Sequence, residues 1–285
     1  MNAPERLKAA NSIGDILVSR GLLRKDDIER VIERQREKRE PFGEAAIGLK
    51  LIQRSDLEAA LAAQFNYGYL HDNRDGLSRE LVVAYKPFSH VAEQMRALRG
   101  QLLMRWFTGD PMRRVLAVTS HQPRDGRSFL VANLAVAFAQ QGQRTLVIDA
   151  DLRKPRQHAL FNSGHSAGLA GLLAGRVGLE VIEPVASLPG LRLLPAGAVP
   201  PNPQELVGMP NLSDLLVHAA AQHDVVLVDT PAASTCADAE ILASRIGSAL
   251  LVTRRHRTPL RGAAAFAQRL QDTGAALVGS VLNDA

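Results

Sequence analysis

The sequence predicts an α/β protein in which a parallel sheet carries helices on both faces, preceded by a small all-α domain. Three observations predict it. After residue 113, short apolar runs of strand length alternate with amphipathic stretches of helix length. Before residue 70, apolar residues recur at helical spacing in two related units. Hydrophobic residues make up 46% of the 285 residues but aromatics only 4%, so the core is built from Ala, Leu, Val and Ile, which suits a layered sandwich better than an aromatic-rich barrel.

The helical domain is expected over residues 1–70. Ile13-Gly14-Asp15 recurs as Phe42-Gly43-Glu44, Leu22-Leu23 as Leu51-Ile52, Asp27-Ile28-Glu29 as Asp56-Leu57-Glu58 and Gln35 as Gln64. Every pair is offset by 29 residues, which argues for a duplicated helix-turn-helix unit. Ile28, Val31 and Ile32 form one packing stripe, and Ser55 reads as a helix N-cap. Residues 71–90, polar and turn-rich at first and broken again at Lys86-Pro87, read as a linker. A helix is expected from about 91 to 106, opening the larger domain, 91–285.

Strands are expected at 115–119, 145–148, 191–194, 225–228, 249–253 and 277–282, with helices at 129–140, 212–221, 237–244 and 262–271. The alternation implies parallel pairing with both faces covered. The first strand runs into Pro123-Arg124-Asp125-Gly126-Arg127-Ser128-Phe129, and a helix follows. A phosphate-binding loop needs this placement, so that backbone N–H groups and the helix dipole face the anion. Gly126 allows close approach and Ser128 occupies the position of a Mg²⁺-ligating hydroxyl. Arg127 stands where such loops carry lysine, and the loop's usual first glycine is absent. Asp149 and Asp151 close the second strand and Asp229 a later one, so three carboxylates lie where ligands bind an open parallel sheet.

These residues resemble the cytoplasmic kinase domain of bacterial tyrosine autokinases of capsule and exopolysaccharide synthesis. The segment Asp149-Ala150-Asp151 running into Leu152-Arg153-Lys154-Pro155 is similar to that family's second Walker A-like motif. Asp229-Thr230-Pro231 is similar to its Walker B, and Pro123 with Gly126-Arg127-Ser128 to its phosphate loop. Glu93, Arg96 and Arg99 have the family's E-x-x-R-x-x-R spacing for self-association. The resemblance spans about residues 85–285. It implies a P-loop NTPase-like fold, ATP and Mg²⁺ as ligands, and a tyrosine kinase or kinase-like regulator of exopolysaccharide chain length, polymerisation and export. Pro123 to Phe129 would bind nucleotide. Asp149 would be the base, Asp151 and Arg127 would assist, and Ser128, Asp151 and Asp229 would hold the metal.

The N-terminal module resembles the small helical domain of type II secretion ATPases. Some relatives of that module bind cyclic di-GMP through an Arg-Leu-Gly start. Ser12-Ile13-Gly14 and Pro41-Phe42-Gly43 lack the arginine, so no tight binding is expected. The family's usual tyrosine-rich tail has no counterpart, since the tyrosines are Tyr67, Tyr69 and Tyr85. That departure, with Arg127, keeps open a scaffold that binds nucleotide without phosphotransfer. A partitioning-type ATPase is a third reading, disfavoured because the loop contains no lysine.

No secretory leader or membrane span is read, and the one cysteine, Cys236, suits a reducing cytosol. The expected partners are other copies of the chain and a separate integral-membrane chain-length-determinant protein that recruits it to the inner membrane. The net charge of +5 is modest and no nucleic-acid partner is expected. Arg254, Arg255 and Arg257 form one local cluster, a candidate partner or phosphate contact.

Overall fold

The structure, a computed structural model, describes residues 12–64, 70, 76–164 and 167–284. The expectations about residues 1–11, about Tyr67 and Tyr69, and about the polar run at 71–75 lie outside them. The chain forms two compact units, Met1–His71 and Asp72–Ala285.

In the first unit, a short and a longer helix occur twice: α1 (Ile13–Ser19) and α2 (Lys25–Lys38), then α3 (Phe42–Gly48) and α4 (Arg54–Gln64). Equivalent helices start 29 residues apart, the offset seen in the sequence. Matching positions fill one core: Ile16 and Leu17 with Ala45 and Ala46, and Leu23 with Ile52. Ser12 caps α1 in a box with Asp15. Ser55 does not cap α4, which has already begun at Arg54. The Asp56 carboxylate instead accepts the Gln53 N–H at 2.8 Å.

The second unit opens with α5 (Val82–Tyr85) and α6 (His90–Arg105). Then follow β1 (Val115–Ser120), α7 (Arg127–Gln140), β2 (Thr145–Asp149), α8 (Gln157–Leu160) and α9 (Leu169–Leu173). Next come β3 (Glu183–Pro184), β4 (Leu191–Leu194), α10 (Pro203–Gly208), α11 (Asn211–Gln222) and β5 (Val225–Ala232). The chain closes with α12 (Asp238–Ile246), β6 (Ser248–Arg254), α13 (Leu260–Asp272) and β7 (Ala276–Asn283).

The seven strands lie in the order β3-β4-β2-β5-β1-β6-β7, all parallel except β3. β3 escaped the sequence reading because it is two exposed residues, one of them proline. Right-handed crossovers put α7, which steps from β1 toward β2, on one face, and α12 and α13, which step the other way, on the opposite face. The six residues of β1 and all eight of β5 are buried, as a strand covered on both faces requires.

The linker expected over 71–90 needs correction in its described part. Leu77, Leu81, Val83, Ala84 and Tyr85 are buried. The Val83 N–H donates to Asn133 Oδ1 on α7 at 3.0 Å, and Asn133 Nδ2 donates to the Glu80 carbonyl at 2.9 Å. Residues 76–90 therefore belong to the body of the second unit. The polar look of the segment hid an apolar set spaced for packing.

Candidate nucleotide site

β1 and β5 are neighbours in register, so the loop after β1 and the residues ending β5 and β2 meet at one edge of the sheet. Gly126 holds φ at 101°, a region open to glycine, and starts α7 without a side-chain cap. The first N–H groups of α7 have no intrahelical acceptors. They face a cleft of about 720 Å³ lined by Pro123, Arg124, Gly126, Arg127, Ser128 and Phe129. Asp151, Arg153, Lys154, Arg156 and Arg254 also line it, so cations far outnumber the two carboxylates, Asp151 and Glu80. A polyanion suits this field.

Asp125 is not a lining residue. It is wholly buried and ties the loop together, accepting the Gln122 N–H at 3.0 Å and the Thr258 hydroxyl at 2.8 Å. Arg127, expected to fork onto phosphate, is largely occupied. Its Nε donates to the Thr230 carbonyl at 2.8 Å, and its Nη1 to the Gln122 carbonyl at 3.1 Å and to Ser120 Oγ. Only Nη2 remains, 3.8 Å from Asp151 Oδ2. The guanidinium is a strap under the loop with one nitrogen left for a ligand, where a lysine would offer a point charge.

The three aspartates differ in what they can reach. Asp149 is wholly buried: its Oδ2 accepts the N–H groups of Arg156 at 3.0 Å and Gln157 at 2.8 Å, and its Oδ1 that of Asp151 at 3.3 Å. Burial first, then the Asp229 charge, push its pKa well up. Asp149 thus folds the 151–157 loop back on itself. It lies behind the cleft lining, where Asp151 stands instead. Asp151 does line the cleft, with Oδ1 anchored by the N–H groups of Arg153 and Lys154 at 3.3 and 2.9 Å.

Asp229 lies just beneath. Burial raises its pKa, opposed by the Arg127 charge and by the Gln157 and Ser128 side chains. Gln157 Nε2 donates to Asp229 Oδ2 at 2.7 Å, while Oδ1 is buried with no hydrogen-bond partner. An orphaned carboxylate oxygen beside the Ser128 hydroxyl, at a helix N-terminus, fits a Mg²⁺–phosphate unit. Among the described residues no group of three His, Cys, Asp or Glu could hold a metal. This donor set therefore suits an ion that takes most of its ligands from phosphate and water.

Several lining residues carried no sequence signal as site residues. Glu80 and Asn283 arrive from opposite ends of the second unit, and Arg156 pairs with Glu80 across the cleft at 2.6 Å. Asn283 Nδ2 donates to the Asp125 carbonyl at 3.1 Å, which closes the loop against β7. Glu93, Arg96 and Arg99 lie on α6, away from the cleft lining. Arg96 binds Glu93 at 3.0 Å and the Pro87 carbonyl at 2.6 Å, and Arg99 the Ala137 carbonyl at 2.7 Å.

No protein-family model matches the chain. It is 34% identical over 215 residues to the tyrosine-protein kinase YwqD of Bacillus subtilis (strain 168), covering 75% of this chain and 90% of that one. The chain belongs to the bacterial tyrosine-protein kinases. Three further curated tyrosine-protein kinases that it matches, one from Klebsiella pneumoniae and two from Ralstonia, are much longer, and it spans 25–29% of their length. The solved kinase domain of the Escherichia coli tyrosine kinase ETK superposes with a TM-score of 0.68 at 33% identity, covering 71% of this chain and 79% of that one. The septum site-determining protein MinD of Pyrococcus horikoshii, complexed with Mg-ADP, shares the fold at a TM-score of 0.52 and 24% identity, covering 59% of this chain and 69% of that one. MinD thus shares the architecture, and the kinases share the sequence as well.

Proposed function

We propose that this chain is an ATP-dependent protein-tyrosine kinase that regulates exopolysaccharide chain length, polymerisation and export. The observation that carries the reading is the orphaned Asp229 oxygen beside Ser128, under a cationic cleft at the N-terminus of α7. The loop N–H groups and Nη2 of Arg127 would hold the phosphates. Ser128 and Asp229 would hold Mg²⁺, directly or through water, and the ion would neutralise charge on the β- and γ-oxygens. Asp151 is the carboxylate placed to accept a proton at the cleft surface. A tyrosine oxygen attacks the γ-phosphorus, the bond to the β–γ bridging oxygen breaks, ADP leaves, and the tyrosine proton passes to Asp151. Asp149 acts through position, by fixing the loop that carries Asp151.

The test is phosphate transfer from Mg²⁺–ATP to a tyrosine-containing polymer. Asp151→Asn should lower the rate by at least about 100-fold, the span typical of a lost proton acceptor, while leaving Kd for ATP within a few-fold. An unchanged rate removes Asp151 from the reaction.

A second reading is supported by the strapped guanidinium of Arg127: a scaffold that binds nucleotide and transfers nothing. Nucleotide binding without tyrosine phosphorylation selects it. Under either reading the chain works in the cytoplasm at the inner membrane. It would assemble with further copies through Glu93, Arg96 and Arg99, and with an integral-membrane chain-length-determinant protein. No helix among the described residues is long and apolar enough to cross a membrane.

A further inference from the structure

Residues 254–261, from the end of β6 into the start of α13, hold four arginines and one histidine. Arg255, His256, Arg257 and Arg261 are exposed, as is Arg124 on the neighbouring phosphate loop. Among the described residues, the one carboxylate ion-paired to the segment is Asp284, 3.0 Å from Arg255. Among the described residues Arg124, Arg257 and Arg261 have no acidic partner.

The segment is rigidly presented. Thr258 Oγ1 donates to Asp125 and accepts the Arg254 N–H at 2.7 Å, and the Arg255 N–H donates to the Asn283 carbonyl at 2.9 Å. Two leucines share this shoulder. Leu260, between the arginines, is 83% exposed, and Leu282, register partner of Thr253, is 65% exposed. Of this set Arg124 and Arg254 line the nucleotide cleft, and the other cations lie outside its lining.

We infer that this shoulder docks on an anionic lipid surface. An array of unpaired arginines calls for an array of phosphates, and exposed leucines among them call for hydrocarbon just behind those phosphates. A bilayer of acidic lipid offers both in one plane. An acidic polypeptide without an apolar patch would satisfy the arginines but leave Leu260 and Leu282 in water. The contact would lay the rim of the nucleotide cleft beside the membrane. It does not depend on phosphotransfer.

The test is co-sedimentation of the full chain with vesicles of mixed phosphatidylglycerol and phosphatidylcholine, against phosphatidylcholine alone. Binding is expected only to the acidic vesicles and should fall steeply with salt. Arg257→Ser with Arg261→Ser should weaken it at least about tenfold, since each arginine near such a surface is worth about fivefold. Arg257→Lys with Arg261→Lys should restore it. Leu260→Ser should weaken binding while leaving the salt dependence unchanged. Matching melting temperatures show that the variants are folded. Equal binding to both vesicle types, no binding to either, or full binding by the double serine variant overturns the proposal. So does retention by an acidic polypeptide column without vesicle binding, which would identify a protein partner.

Discussion

Asp149, the last residue of β2, and Asp229, within β5, are register partners, and neither exposes any surface. Two carboxylates placed side by side under a cation cleft store repulsion and desolvation cost in the ligand-free protein. Both pKa values are raised, chiefly by burial.

The sign of the resulting pH dependence follows. A raised folded-state pKa means that the folded chain keeps a proton the unfolded chain has released. Stability is then lost as pH rises from the ordinary aspartate value of 3.8 through the folded value. Asp229→Asn removes that loss. Without nucleotide it should be more stable than the wild type at pH 7 by on the order of 1 kcal/mol, and the gain should fade below about pH 4. Thermal melts across this range check it. A lower melting temperature at pH 7 would mean that Asp229 is well solvated or already paired.

Arg127→Ala should cost about 2–4 kcal/mol, because the Thr230 and Gln122 carbonyls and Ser120 Oγ lose a charged donor in a buried place. Arg127→Lys should cost less and should raise ATP affinity, since a lysine cannot hold all three acceptors and is freer to meet phosphate. Denaturant titration and calorimetry read the two effects separately. ATP affinity that falls with lysine would show that the guanidinium itself is needed.

Arg153 pairs with Asp238, whose side chain is almost wholly buried at the start of α12, at 2.8 Å. Arg153→Ala strands that carboxylate and should cost about 2 kcal/mol, less than a fully buried pair because the arginine is partly exposed. Adding Asp238→Asn should recover most of it. A loss that the double variant does not recover would place the role of Arg153 elsewhere.

Gly126→Ala should abolish nucleotide binding while the protein still folds. The residue adopts φ of 101°, and a Cβ there would collide with the Asn283 side chain that latches the loop to β7. The left-handed backbone alone costs an alanine about 1–2 kcal/mol. Near-normal ATP affinity in a folded variant would show that the loop does not approach phosphate closely.

Much of the second unit was legible because β1, β2 and β5 open as apolar runs that lead into a polar residue at the ligand edge, Ser120, Asp149 and Asp229. Asp151, Ser128 and Gly126 were read as site residues for that reason, and they line the cleft. The direction of each side chain was not legible. Asp125 and Asp149 turn inward to accept backbone N–H groups, Asp125 also accepting the Thr258 hydroxyl from 133 residues away, and Arg127 turns under its loop to donate to the Thr230 carbonyl 103 residues away. Gln157, which steadies Asp229, and Asn283, which closes the loop, reach the site only through the strand order. In the first unit the 29-residue repeat gave the helix pairs, while the cap at Ser55 failed because the helix starts one residue earlier.

The most direct test of the central claim is calorimetry of Mg²⁺–ATP binding to the wild type and to Asp151→Ala with Asp229→Ala. The wild type should bind in the micromolar range, at least about tenfold more weakly without Mg²⁺, and the double variant should lose that Mg²⁺ dependence. No binding at millimolar ATP by the folded wild type, or an equal Mg²⁺ dependence in both proteins, would contradict it.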